Sequence, residues 1–154
     1  MKSLHLNSLP RLTGAGEKQR WTQAAGAGGS LVIANYAIQH PGLTVVITEN
    51  SQQAERLQRE IAFFCPPDFT ILEFPDWDIL PYDNFSPHQD IISTRLTTLT
   101  RLPEVSKGIL VIPVSTLLHR LVPLSYIRGM SLSLAVGQRL DRENMRRELE
   151  AAGY

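Results

Sequence analysis

The chain has 154 residues, 43% of them hydrophobic, and its 15 basic and 15 acidic side chains leave no formal net charge. That length holds one domain, or one domain and a piece of another, and the charge balance argues against a dedicated nucleic-acid-binding module, which normally carries a basic excess. A single cysteine, Cys65, excludes an internal disulfide, no secretory signal opens the chain and no apolar run can span a bilayer, so a soluble cytoplasmic protein with no membrane partner is expected.

Residues Met1 to Gln23 carry weak signals. Gly14-Ala15-Gly16-Glu17-Lys18 places its lysine at the wrong spacing for a phosphate loop, with no Ser or Thr after it. The next cluster, Ala24-Ala25-Gly26-Ala27-Gly28-Gly29-Ser30, opens an apolar helix through Leu31 to His40. Nucleotide-binding folds keep their phosphate cradle at such a place. A working cradle is G-x-x-x-x-G-K-[ST]: backbone N–H groups hold the phosphates, the lysine neutralises them and the hydroxyl ligates magnesium. Here Gly28-Gly29 is followed by Ser30 and Leu31, with no lysine. The expectation is a degenerate phosphate loop around Gly26, Gly28, Gly29 and Ser30 that binds no cofactor. Its glycines would serve a tight turn and close helix packing.

His40-Pro41-Gly42 ends the helix, and Leu43 to Thr48 reads as a short buried strand. Asn50 is placed to cap a helix, with Gln53 completing a capping box. Ala54, Leu57, Ile61 and Phe64 share one face of that helix, and Cys65-Pro66-Pro67 stops it. Cys65 reads as a small buried or semi-buried hydrophobe, since nothing near it suggests an activating base. Phe69 to Phe74 is a second strand. After a long loop, Asp90 caps a helix with Ile92, Leu96, Leu99 and Pro103 on one side and Thr94, Thr97, Thr98 and Arg101 opposite. So many threonines give poor intrinsic propensity, so packing must hold this helix. Gly108 to Val114 is a third strand, apolar on both faces, and Ser115 or Thr116 starts a short helix through Leu121. Apolar strands alternating with helices predict an α/β fold, with a parallel sheet covered on both sides.

The pattern then changes. Met130 to Val136 alternates large apolar with small residues, as a half-exposed antiparallel strand does. Asp141 caps a last helix, with Leu140 and Met145 as a hydrophobic staple and Met145, Leu149 and Ala152 as its buried stripe. Gly153 sits where a helix terminator belongs. A boundary between Leu121 and Gly129 separates residues 1–122 from a small α+β unit at 129–154. One strand and one helix cannot bury a core alone, so the sequence reads as a fragment of a longer chain, with this unit as the truncated start of a small domain.

The loop between the second strand and the following helix is the least ordinary stretch. Phe74-Pro75-Asp76-Trp77-Asp78-Ile79-Leu80-Pro81-Tyr82-Asp83-Asn84-Phe85-Ser86-Pro87-His88-Gln89-Asp90 holds three prolines, four aromatics, four aspartates and a histidine. A loop this long is usually functional or packed on itself. Asp76, Asp78, Asp83 and Asp90, with His88, match no calcium-loop spacing, and capping and turn chemistry explains them better. His88 lacks a visible Ser or Cys partner for general-base work. Trp77, Tyr82 and Phe85 have the rings to stack on bases, but zero net charge favours packing or a protein interface. Arg142, Arg146 and Arg147 alternate with Glu143, Glu148 and Glu150, which reads as a solvated face.

The run from Asp76 through Asp90 into Ile91-Ile92-Ser93-Thr94-Arg95-Leu96 closely resembles the transcription-repair coupling factors of bacteria. The resemblance continues through Gly108 to Leu117 and through Val136-Gly137-Gln138-Arg139-Leu140, and covers most of the chain from about Leu43. Its signature residues are Trp77, Pro81, Tyr82, Phe85, Pro87, His88, Asp90 and Arg95. It implies the N-terminal end of a large protein, a region similar to the damage-binding B component of the ABC excinuclease. That region is a helicase-like α/β domain with a degenerate nucleotide site, followed by a small domain that recruits the A component of the excinuclease. By resemblance, ATP and magnesium serve the whole protein. RNA polymerase and double-stranded DNA are met through downstream domains absent from this sequence. The excinuclease B component inserts a long DNA-clamping aromatic hairpin where Pro81 to Asp90 stand here, so clamping does not carry over to this segment. Neither do the contacts to the A component, which lie mostly beyond Tyr154. Two other classes have stated requirements. An active P-loop ATPase needs the missing lysine. A small doubly wound enzyme needs a convergent catalytic group at the carboxyl ends of its strands, for which His88 is the candidate.

Overall fold

The computed structural model describes residues 14–22, 24–79, 86–129 and 136–151. The elements run α1 (Gly28–Gln39), β1 (Leu43–Thr48), α2 (Ser51–Phe64), β2 (Ile71–Glu73), α3 (Gln89–Arg101), β3 (Gly108–Pro113), α4 (Leu124–Gly129) and α5 (Arg142–Ala151). The chain divides into two compact units after Arg120.

The first unit is α/β. Its sheet has three strands in the order β1-β3-β2, all parallel, with Val46 opposite Val111 and Leu72 opposite Leu110. The strand that reads as apolar on both faces, β3, lies in the middle, and all six of its residues are buried. Alternation along it divides the core. Ile109 and Val111 face Ala34 and Ala37 of α1 and Ile61 of α2. Leu110 and Ile112 join Leu72 and Phe74 on the other side, against Leu99 of α3 and Leu102. Gly108 is required at the entrance of β3, where a Cβ would lie 2.7 Å from the Thr70 carbonyl oxygen.

The local signals for α2 hold. The Asn50 side chain accepts from the Gln53 N–H at 2.8 Å. The return half of the box differs: Gln53 Oε1 accepts from the N–H of Glu49 at 2.9 Å, one residue before the cap. Lys107 closes the far end of α1, its Nζ donating to the Ile38 carbonyl at 2.6 Å.

Several expectations are corrected. Complete cover of β1 does not occur: Val45 and Ile47 are 50% and 57% exposed. Their register partners are Leu110 and Ile112, but α3, the helix on that face, packs on β2. The inward side of α3 is not the apolar stripe through Leu96. Arg95 and Thr98 are each 4% exposed, whereas Leu96 is 43% exposed. Asp90 is not the cap of α3; His88 occupies that position, and its side chain accepts from the Asp90 N–H. Ser115 and Thr116 do not open a helix to Leu121. They lie in a 3-10 turn spanning Val114–Leu118.

The second unit contains α4 and α5 among its described residues. Sequence reasoning missed α4, which begins just after Pro123; the Ile127 N–H donates to the Pro123 carbonyl at 3.2 Å. Asp141 caps α5 as expected, its Oδ1 accepting from the Glu143 and Asn144 N–H groups at 3.1 and 3.2 Å. The expected strand at Met130 to Val136 lies outside the described residues but for Val136, which stands in a turn with Gly137. Ala152 and Gly153 also lie outside them. Among the described residues, no helix is long and apolar enough to cross a membrane.

Candidate functional site

Parallel strands deliver their carboxyl ends to one rim of a sheet, where α/β proteins place their working groups. Here β2 and β3 end side by side, and Phe74 continues the ladder by donating to the Val111 carbonyl at 3.0 Å. The chain leaving β2 is Pro75-Asp76-Trp77-Asp78, and the chain leaving β3 is the Val114–Leu118 turn followed by His119.

Arg95 fixes the first of these segments. It rises from α3 with its guanidinium carbon 4.2 Å from the centroid of Phe74 and 4.1 Å from that of Trp77. A planar cation can lie against ring faces and still project donors from its rim. Its Nη1 donates to the Pro75 carbonyl. Burial pulls the Arg95 pKa below its ordinary value, and the charge of Asp76 opposes that shift.

Asp76 ties the two segments together. One carboxylate oxygen accepts from the Trp77 N–H at 2.9 Å, and the other accepts from the Ser115 hydroxyl. His119 Nε2 lies 3.9 Å from Asp76 Oδ1. This histidine, and not His88, shares the strand-end rim with an aspartate and a serine. The order of contacts decides what the group can do. In a hydrolytic triad the histidine stands between serine and carboxylate and takes the serine proton. Here the carboxylate stands between, and the Ser115 hydroxyl is spent on Asp76. The arrangement suits a clamp, not a nucleophile. Sequence reasoning missed Ser115 and His119 because they are about forty positions from Asp76 in the chain. The available signal was a polar run, Ser115-Thr116, directly after an apolar parallel strand.

The far end of the loop is closed by a second carboxylate. Both oxygens of Asp78 lie 3.3 Å from the His88 backbone N–H, which donates to them. His88 Nδ1 in turn accepts from the Asp90 N–H at 3.3 Å and lies 3.4 Å from Asp90 Oδ2. One nitrogen can do only one of these jobs. A neutral ring accepts from the backbone, and a protonated ring donates to the carboxylate. In both states His88 serves the start of α3, so it is no free general base. Pro87 immediately precedes it. Pro81, Tyr82 and Phe85 lie outside the described residues. Asp78 and Asp90 both meet His88 while Asp76 binds Ser115 and the Trp77 N–H, and among the described residues no three ligating side chains gather as a metal site would require.

The glycine cluster is resolved into distinct parts. Gly26 has φ +55 and makes the turn before α1. Gly28 and Gly29 begin the helix. A Cβ would meet nothing within 4 Å at Gly29 and only the Ala24 Cβ at 3.8 Å at Gly28, so close packing is not what these two glycines provide. Ser30 is buried, and its hydroxyl donates to Glu60 of α2. That hydrogen bond holds the Glu60 carboxyl below its ordinary pKa against an opposing cost of burial, with a smaller lowering contribution from Arg56, whose Nε is 2.9 Å from Glu60 Oε1. The one hydroxyl available to a phosphate loop is therefore turned toward a neighbouring helix. Cys65 is partly buried, and desolvation pushes its thiol pKa up, away from a reactive thiolate.

No family model matches the chain. Curated relatives do. The transcription-repair-coupling factor of Escherichia coli is 44% identical over 140 residues, 91% of this chain and 12% of that protein. The protein of the same name from Haemophilus influenzae is 45% identical over 125 residues, 81% of this chain and 11% of its own length. The chain belongs to the transcription-repair-coupling factor family, as a homologue of one short segment. A more distant coupling factor, from Myxococcus xanthus, is 30% identical over 148 residues. The chain thus spans only about 12% of the coupling factors it matches. A match over 91% of the chain extends the coupling-factor likeness well beyond the loop.

Proposed function

We propose that the chain is the non-catalytic N-terminal scaffold and recruitment part of a transcription-repair coupling factor. The observation that carries this reading is the 44% identity to such a factor over 91% of the chain. Two features of the glycine cluster support the non-catalytic part. No lysine follows Gly28-Gly29, and the Ser30 hydroxyl is engaged by Glu60. In this reading residues 1–122 form a helicase-like domain with a degenerate phosphate loop, and residues 129–154 begin the domain that recruits the A component of the excinuclease. The whole cytoplasmic protein would use ATP and magnesium, through domains outside this segment, to displace stalled RNA polymerase from damaged DNA and bring in nucleotide excision repair.

The loop between β2 and α3 then has an architectural role. Arg95, Asp76, Asp78 and His88 hold its two ends against the sheet rim. The test has two arms. A longer form of the chain, carrying the region that follows in the relatives, is mixed with the purified A component of the excinuclease; capture is expected, and no capture by a folded protein refutes recruitment. Titration of the 154-residue chain with ATP and magnesium is expected to give no binding in the micromolar range. Micromolar binding would refute the non-catalytic assignment and favour an active ATPase.

A further inference from the structure

No further inference is drawn: the strongest candidate, the cleft along the outer edge of β1 lined by Trp21, Tyr36, Val45 and Ile47, is a sheet edge unpartnered among the described residues, and nothing in the structure shows what covers it.

Discussion

Replacing Arg95 by methionine keeps an apolar side chain between Phe74 and Trp77 but removes the charge and the donors. The hydrogen bond from Nη1 to the Pro75 carbonyl is charge-assisted and contributes about 1.5–3 kcal/mol. Each ring contact, at 4.2 and 4.1 Å, adds roughly 0.5–1 kcal/mol. Relief of the buried guanidinium offsets part of this, leaving a net loss of about 2–4 kcal/mol. For a chain of this size that lowers Tm by roughly 5–15 °C. Urea denaturation followed by far-ultraviolet circular dichroism measures the loss. In a Trp21→Phe background Trp77 is the sole indole, so its emission reports the loop directly and should shift to longer wavelength. Arg95→Lys should recover little, because an ammonium cannot lie flat against two rings while donating to Pro75. An Arg95→Met protein within about 0.5 kcal/mol of the parent, a change typical of an ordinary surface site, with unchanged Trp77 emission, would refute the pinning role.

Three further outcomes follow from the geometry. Gly28→Ala and Gly29→Ala should each stabilise the chain by about 0.4–1 kcal/mol in chemical denaturation, because a Cβ fits at both places. Gly26→Ala should cost about 1–2 kcal/mol through its positive φ, and equal effects at all three positions would contradict the assignment. Gly108→Ala should destabilise by roughly 1–3 kcal/mol, since the new Cβ would press on the Thr70 carbonyl oxygen 2.7 Å away; an unchanged urea midpoint would refute that close approach. The lowered Glu60 pKa gives stability that is present above the unfolded value of 4.5 and is lost as pH falls through the lower folded value. Glu60→Gln should flatten that part of the stability–pH curve, and an identical slope in the variant would count against the Ser30–Glu60 contact.

Legibility in the sequence followed the range of the interaction. The three strands, the Asn50 and Asp141 caps and the parallel arrangement were readable, since each depends on neighbouring residues or on continuous apolar runs. The α3 face was misread because a buried arginine breaks the apolar pattern, and its burial is made tolerable by the rings of Phe74 and Trp77, the Pro75 carbonyl and the charge of Asp76. His88 displaced Asp90 as the cap by a shift of two residues, within the usual uncertainty of helix ends.

By itself the sequence determined the α/β class, the absence of a lysine directly after Gly28-Gly29 and the coupling-factor likeness, because composition, spacing and residue identity are one-dimensional properties. Only the tertiary structure decided that β3 is the central strand and that Val45 and Ile47 stay half exposed at the edge. It also decided that Ser30 faces Glu60, and that Asp76 joins Ser115 and approaches His119 across the strand ends. Those contacts bring together residues far apart in the chain, and which distant groups meet depends on strand order and register, which no local pattern encodes.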